Sequence, residues 1–360
     1  MALIEIDGST GEGGGQLVRT SIALATLLTK GIHIRNVRAK RSPPGFRSQH
    51  LTGVKAVATI ADADVTGLEI GSQDLVFEPH RRLAGSFTFD IGTAGSIPLV
   101  LQALMPAAAF APKQTKVNLI GGTNVRWSPS IDYVLSVLLP TLGKMGYNGK
   151  IAVEQRGHYP KGGGRVTAII DPVRKLKSIN FTEFGKVKKI YVLSHCVKLP
   201  SHVADRQAKS AVQLLREAGY DNLELKTEWY RSDEDPHLGP GSGVTVCAET
   251  TTGALLGSDS LGERGKPAEK VGEEAAQELI RELDSRMPVD KHMGDMLIPY
   301  VSVAEGRSQF KVSEITLHLV TNIQIAEALA DVKFQVEGKM GTPGTISVKG
   351  IGLMNAAVED

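Results

Sequence analysis

Apolar positions recur along the chain in two alternating periods, and one arrangement of them occurs three times. The first copy runs from Ile32 to Gly71: a strand-like run HIRNVRA, a loop RSPPGFRSQ, an apolar-periodic helix LTGVKAVATIADA, then VTGLEIG. The second runs from Lys116 to Gly157, with KVNLIGG, TNVRWSPSI, the helix DYVLSVLLPTLGKMG and KIAVEQRG. The third runs from Lys311 to Gly338, with KVSEITLHL, VTN, IQIAEALAD and VKFQVEG. Period two over short runs predicts strands and period 3.6 predicts helices, so each copy reads strand, loop, helix, strand. In the third copy, alternation sets Ile315, Leu317 and Leu319 on one face and Thr316, His318, Val320 and Asn322 on the other. That places His318 on a strand, where the first copy runs into Arg38. A helix with a polar, often glycine-rich entry precedes each copy: DGSTGEGGGQLVRTSIALATLL, DIGTAGSIPLVLQALMPAAA and DKHMGDMLIPYVSVA.

The first two copies are about 85 residues apart, and the third is displaced far down the chain. The intervening segment has its own strand–helix–strand–strand–strand–helix order, from KKIYVLSHC to PAEKVGEEAAQELIRELD. The expected organisation is an α/β (α+β) fold in two parts. A large domain takes residues 1–183 plus 286–360, and a small inserted domain takes 184–285. The acidic, Gly/Pro-rich RSDEDPHLGPGSG is expected to be a flexible loop inside the insert.

Composition narrows the classes. The 360 residues carry 41 Lys+Arg against 39 Asp+Glu, a net charge of +2, so any anionic ligand must be held by a local basic cluster. Two cysteines, Cys196 and Cys247, exclude a disulfide scaffold and a multi-cysteine zinc module. They are expected to neighbour each other in the small domain's sheet. The N-terminus has no basic, apolar leader, and the longest greasy stretch is broken by Pro98, Gln102 and Pro106. A cytoplasmic protein with no membrane partner is the expectation.

Four motifs carry candidate chemistry. GEGGGQ, Gly11 to Gln16, opens a helix and would let backbone N–H groups approach an anion; Glu12 is its lone carboxylate, a possible cation ligand. It is neither a Walker motif nor a dinucleotide fingerprint, because no Lys-Ser/Thr follows and Gln16 stands where a last glycine would be. Arg19 lies one turn on, on the face of Gly15. Arg38 to His50 brings Arg38, Lys40, Arg41, Arg47, Gln49 and His50 onto a loop stiffened by two prolines. GHYPKGGG, Gly157 to Gly164, reads as a phosphate contact or a plain turn. His292 and Asp295 fall at i, i+3 on a helix start, a ligand-lining segment or cap rather than a metal site, since no third ligand follows. By spacing alone, His318 reads as a structural histidine.

Together these segments resemble the RNA 3′-terminal phosphate cyclase family, in the family's order and over nearly the whole chain. The resemblance implies a large domain of three repeats similar to the C-terminal domain of translation initiation factor three, with a small thioredoxin-like insert. It implies ATP-dependent conversion of RNA 3′-phosphate ends to 2′,3′-cyclic phosphodiesters through a histidine–AMP intermediate and an RNA-adenylate. His318 matches the family's nucleophile. Glu12 looks like the metal-contacting carboxylate, for Mg²⁺ or Mn²⁺. Arg19, Arg38, Arg41, Gln49 and His50 look like phosphate and RNA contacts. Gln102 and the segment His292, Met293, Gly294, Asp295 and Met296 look like nucleotide contacts. His292 and Met296 depart from the aromatic and glutamine common there. The alternatives are a non-catalytic cyclase-like relative acting in ribosome assembly, an enolpyruvyl-transfer enzyme built of six repeats, and a plain RNA-binding module.

Overall fold

The computed structural model describes residues 3–359; positions 1, 2 and 360, the outermost ends of the expected large domain, lie outside the described residues. The chain forms β1 (Ile4–Asp7), α1 (Gly15–Leu28), β2 (Ile32–Arg35), α2 (Ser48–Ala61), β3 (Asp64–Thr66) and β4 (Leu75–Glu78). It continues with β5 (Gly85–Asp90), α3 (Ile97–Ala109), β6 (Thr115–Gly121), α4 (Ile131–Tyr133), a π-helical turn (Val134–Leu138), α5 (Leu139–Gly143), β7 (Gly149–Gln155) and β8 (Gly164–Ile170). After β9 (Asn180–Phe181) come β10 (Val187–Val197), α6 (His202–Glu217), β11 (Leu223–Glu228), β12 (Gly241–Thr250), β13 (Leu255–Leu261) and α7 (Ala268–Asp284). The last stretch holds α8 (Lys291–Met296), α9 (Ile298–Val303), β14 (Arg307–Val312), α10 (Leu317–Ala330), β15 (Phe334–Glu337) and β16 (Gly344–Lys349).

Three sheets share one topology. Their orders are β1-β2-β4-β3, β5-β6-β8-β7 and β9-β14-β16-β15. In each, the first pair is parallel and the remaining pairs are antiparallel. The fourth sheet, β11-β10-β12-β13, pairs β10 with β11 in parallel and β12 with both neighbours antiparallel. β9 hydrogen-bonds to β14, so the chain enters the third sheet before it builds the fourth, whereas the sequence pattern puts the third copy wholly after the extra segment.

The helices of the three like sheets share one continuous core. α1 lies at its centre: every residue from Leu17 to Leu27 except Arg19 is buried, and α2, α3 and α10 pack around it. A helix apolar on all sides belongs in such a position. The fourth sheet packs α6 and α7 on one face around a separate core including Ile190, Val246 and Leu279. A buried ionic network crosses between the two cores. Arg156 donates to Asp132 at 2.7 and 3.0 Å and to Glu228 at 2.8 and 3.0 Å, joining the residue after β7 to α4 and β11.

Three local expectations differ from the structure. The TLHLVTN segment is helical. β14 ends at Val312, and the Thr316 side chain accepts the Leu319 N–H at 3.0 Å, capping α10. Alternation over Ile315, Leu317 and Leu319 is too short to separate a strand from a capped helix start. RSDEDPHLGPGSG is pinned rather than loose: buried Asp235 accepts the Lys198 and His237 N–H groups and pairs with the His237 ring at 2.7 Å. Cys196 and Cys247 lie on adjacent strands, but Cys196 registers with Ser242 and Cys247 with Tyr191, so both are free and buried.

Candidate active site

A cleft of about 1340 Å³ opens where α1, α3, α8 and α10 meet the fourth sheet. Its lining includes Glu12, Arg19, Arg38, Arg41, Gln49, His50, Gln102, His292, Asp295, Met296 and His318. These come from five separate stretches of chain. Met293 and Gly294 do not line it. Met293 is buried in the core, and Gly294 lies against Val312, where a Cβ would come within 2.7 Å of its methyl.

Glycines let the loop before α1 lie against its neighbours. Gly11 takes a φ of +61°, and a Cβ there would fall 2.1 Å from Thr321 Oγ1, so the loop touches α10 one turn beyond His318. A Cβ on Gly15 would fall 2.4 Å from His50 Nε2. The first turn of α1 has no side-chain cap, which leaves its N–H groups facing the cleft mouth. Gln16 donates to the His318 carbonyl at 3.2 Å. Thr20 donates to Asn322 at 2.7 Å, and Asn322 in turn donates to the Asp295 carbonyl at 2.9 Å. α1, α10 and α8 are thereby fixed in one register.

Within the cleft lining, His318 Nδ1 lies 3.1 Å from Glu12 Oε1, and Arg41 donates to Glu12 Oε2 at 2.6 Å. Burial lowers the His318 pKa; Glu12 pulls it up, while Arg19, Arg41 and His292 push it down. The imidazole is therefore neutral at pH 7. Glu12 stands at ion-pair distance from Nδ1, and a carboxylate there favours the tautomer with the proton on Nδ1 and the lone pair on Nε2. Arg19 is half-buried in the cleft wall: desolvation lowers its pKa to about 10, which leaves it charged, and its buried Nε has no hydrogen-bond partner. Arg38, at φ +53°, spends part of its guanidinium on Gly45 and Pro43 carbonyls. His50 accepts the Arg47 N–H on Nδ1 at 3.2 Å, so it carries its proton on Nε2. Burial, then Arg38, Arg19 and Arg47, push its pKa down to about 3. Three arginines thus face one end of a cleft in a chain of net charge +2, a local anion site.

The other side of the cleft is acidic and aromatic. Asp290 caps α8 by accepting the His292 and Met293 N–H groups, and it also accepts from Tyr133 Oη at 2.7 Å and Gly257 N–H at 3.0 Å. One buried carboxylate so ties α8, α4 and β13 together. The π-helical turn follows Tyr133 directly, and the His292 ring meets the Tyr133 ring edge-on at 6.4 Å. Burial raises the Asp295 pKa to about 8 against the pull of Arg19. Gln49, in the first turn of α2, accepts the Ser96 N–H at 3.4 Å, linking α2 to the start of α3.

Several lining residues escaped the sequence reading. Asp259, on β13, accepts the Ser130 N–H at 2.9 Å, and burial raises its pKa. Trp127, Ser128, Tyr133 and Lys291 also line the cleft. Trp127 and Ser128 fall within TNVRWSPSI, Tyr133 within DYVLSVLLPTLGKMG and Lys291 within DKHMGDMLIPYVSVA, segments whose patterning does not single these residues out. GHYPKGGG is not part of the lining: Gly157 and Gly164 are packed on Gly121, and His158 lies 3.3 Å from His195.

Among the described residues no three His, Cys, Asp or Glu side chains gather as a metal cage. A cation carried by phosphates takes most of its oxygens from them and from water, and asks the protein for only one or two carboxylates. Glu12 is a carboxylate beside the arginines, and its two oxygens already face His318 and Arg41.

Residues 10–336 match the sequence model of the RNA 3′-terminal phosphate cyclase family. Similar curated proteins bear that name in Ignicoccus hospitalis (49% identity, 97% of this chain and 99% of that one), Hyperthermus butylicus (51%, 97% and 98%) and Methanopyrus kandleri (46%, 97% and 99%). Among solved structures, the enolpyruvyl transferase NikO from Streptomyces tendae aligns with 95% of this chain and 47% of that one, at 9% identity and a TM-score of 0.34. At that score the likeness bears on neither fold nor function. No helix among the described residues is long and apolar enough to cross a membrane.

Proposed function

The chain belongs to the RNA 3′-terminal phosphate cyclase family, and from that premise we propose that it uses ATP to close an RNA 3′-terminal phosphate into a 2′,3′-cyclic phosphodiester. The observation that carries the reading is the line Arg41–Glu12–His318 in the lining of an arginine-faced cleft.

His318 Nε2 attacks the α-phosphorus of ATP, a P–N bond forms, and pyrophosphate leaves. Glu12 holds the Nδ1 proton and steadies the positive charge that grows on the ring. Arg19, Arg38 and Arg41 offset phosphate charge, and a fork of donors suits phosphate oxygens. Gln102, His292, Asp295 and Met296 contact the nucleotide, with Met293 and Gly294 holding that segment from the core. An oxygen of the RNA 3′-phosphate then displaces His318 from phosphorus, giving RNA-adenylate and a free imidazole. Finally the vicinal 2′-OH attacks the activated 3′-phosphorus, its proton is lost, and AMP leaves as the ring closes. Gln49 and His50 sit beside the arginines to contact the RNA end; neutral His50 presents an N–H donor. A divalent cation, Mg²⁺ or Mn²⁺, held on Glu12 would add neutralising charge to the phosphates. Most of the work left to the protein is alignment and electrostatics.

The proposal extends to organisation: a large unit of 1–183 plus 286–360 with translation-factor-like repeats, and a thioredoxin-like insert at 184–285. The separate core of the fourth sheet and the shared order of the other three support it. A cytoplasmic setting belongs to the same reading.

Incubation with α-³²P-ATP and a divalent metal, beside His318→Ala, tests it. Acid-labile label on wild type alone is the expected result. No label on either protein would return His318 to a structural role and favour a non-catalytic relative. Label on both would move the nucleophile elsewhere.

A further inference from the structure

The least buried large apolar side chain among the described residues is Trp127, 93% exposed, and it lines the rim of the cleft. Single exposed apolar residues are ordinary on protein surfaces. This one is held out by its backbone. Trp127 has a φ of +59°, a left-handed conformation that a bulky residue adopts only against a steric cost. Its neighbours are anchored on every side. Asn124 N–H bonds the Gly157 carbonyl at 3.3 Å, and Arg126 Nε donates to Glu263 at 2.8 Å. Ser128 Oγ shares a 2.5 Å hydrogen bond with Ser96 Oγ, and Ser130 N–H donates to Asp259 at 2.9 Å. The indole is therefore presented to water by a rigid loop. A second ring, Tyr159, is 80% exposed on the adjoining turn, where His158 bridges to Asn124.

We propose that Trp127 is a stacking platform for a base of the RNA strand as it leaves the cleft. The idea rests on the cyclase reading and deepens it. Small-ligand sites are usually about 300–1,000 Å³, and this cleft, at about 1340 Å³, exceeds what one nucleotide needs. The reaction requires two occupants, and they differ in shape. A nucleoside triphosphate ends inside the cleft, where Tyr133 and Pro299 are buried and Met296 is half-buried. An RNA end continues into solvent, so its partner must be a ring at the rim. Base–aromatic stacking tolerates any sequence, because every base has a π-face, and this suits an enzyme that acts on strand ends.

Steady-state kinetics of the full chain with a 3′-phosphorylated oligoribonucleotide provide the test. Trp127→Ala raises KM for the oligonucleotide about tenfold or more, Trp127→Phe largely restores it, and covalent labelling by ATP keeps its wild-type rate. In a Trp229→Phe background, where Trp127 is the sole tryptophan, the oligonucleotide quenches fluorescence and ATP alone does not. Unchanged KM in Trp127→Ala overturns the inference. So does slowed labelling by ATP, or quenching by ATP alone, which would assign the ring to adenine. Absence of label from ATP in wild type overturns the cyclase reading instead. RNA quenching then still reads the platform by itself, and its absence removes both.

Discussion

Glu12 Oε1 lies 3.1 Å from Nδ1 of His318, although 306 positions separate them along the chain. A carboxylate beside Nδ1 favours the proton on that nitrogen and leaves the lone pair on Nε2. Arg41, on the second Glu12 oxygen, holds the carboxylate in place.

Replacing Glu12 by Gln keeps the volume and removes the charge. Covalent labelling of His318 by ATP is expected to slow about 100-fold, since the growing imidazolium loses its counter-charge. Single-turnover labelling at saturating ATP measures it. A wild-type rate would mean that Glu12 does not orient the ring.

The acid limb of the labelling rate is expected to have its midpoint below pH 6.5, because burial and the neighbouring arginines lower the His318 pKa. Arg41 pushes that pKa down, so Arg41→Ala should move the limb to higher pH. Glu12 pulls it up, so Glu12→Gln should move the limb to lower pH. A pH–rate series on the three proteins decides it, and shifts of the opposite sign would contradict this electrostatic account.

Asp295 costs stability at neutral pH. Its carboxyl titrates near 8 in the fold against 3.8 for the free group. The folded state therefore binds the proton more tightly, and stability is lost as pH rises from about 4 through 8. Asp295→Asn should be about 1–3 kcal/mol more stable than wild type at pH 8 and close to equal at pH 4. Urea unfolding at both pH values would show it, and equal gains at both would point to packing instead.

Arg156 sits between Asp132 and Glu228 with almost no solvent contact. Arg156→Met leaves two carboxylates buried without their cation. A loss of about 3–5 kcal/mol is expected. Adding Asp132→Asn and Glu228→Gln should recover part of it, because the unpaired charges go with them. Denaturation of the single and triple variants reads the difference.

Local signals in the chain were enough for much of the fold. The apolar-all-round α1 after four glycines, and the basic loop before α2, follow from short-range patterning. The cap on α8, Asp290, is the first residue of the DKHMGDMLIPYVSVA segment that carries His292 and Asp295. Short strands were harder: β4, β5 and β16 went unread because four to six residues carry little periodicity. His318 shows the same limit, since three alternating apolar residues describe a strand as well as the start of α10, and the Thr316 cap decides between them.

The sequence alone therefore determined which residue types were on hand for phosphate chemistry, and that they lie in separate motifs with helix or loop settings. Their assembly was decided only in three dimensions. Glu12 meets His318 because Gly11 has no Cβ to strike Thr321, and because α1 and α10 are laced through Thr20 and Asn322. Asp259 and Trp127 reach the cleft because Asp290 ties α8 to β13 and Ser130 bonds Asp259. Those contacts join positions tens to hundreds of residues apart. Periodicity reports which face of an element is apolar; it carries no record of which other element will cover that face.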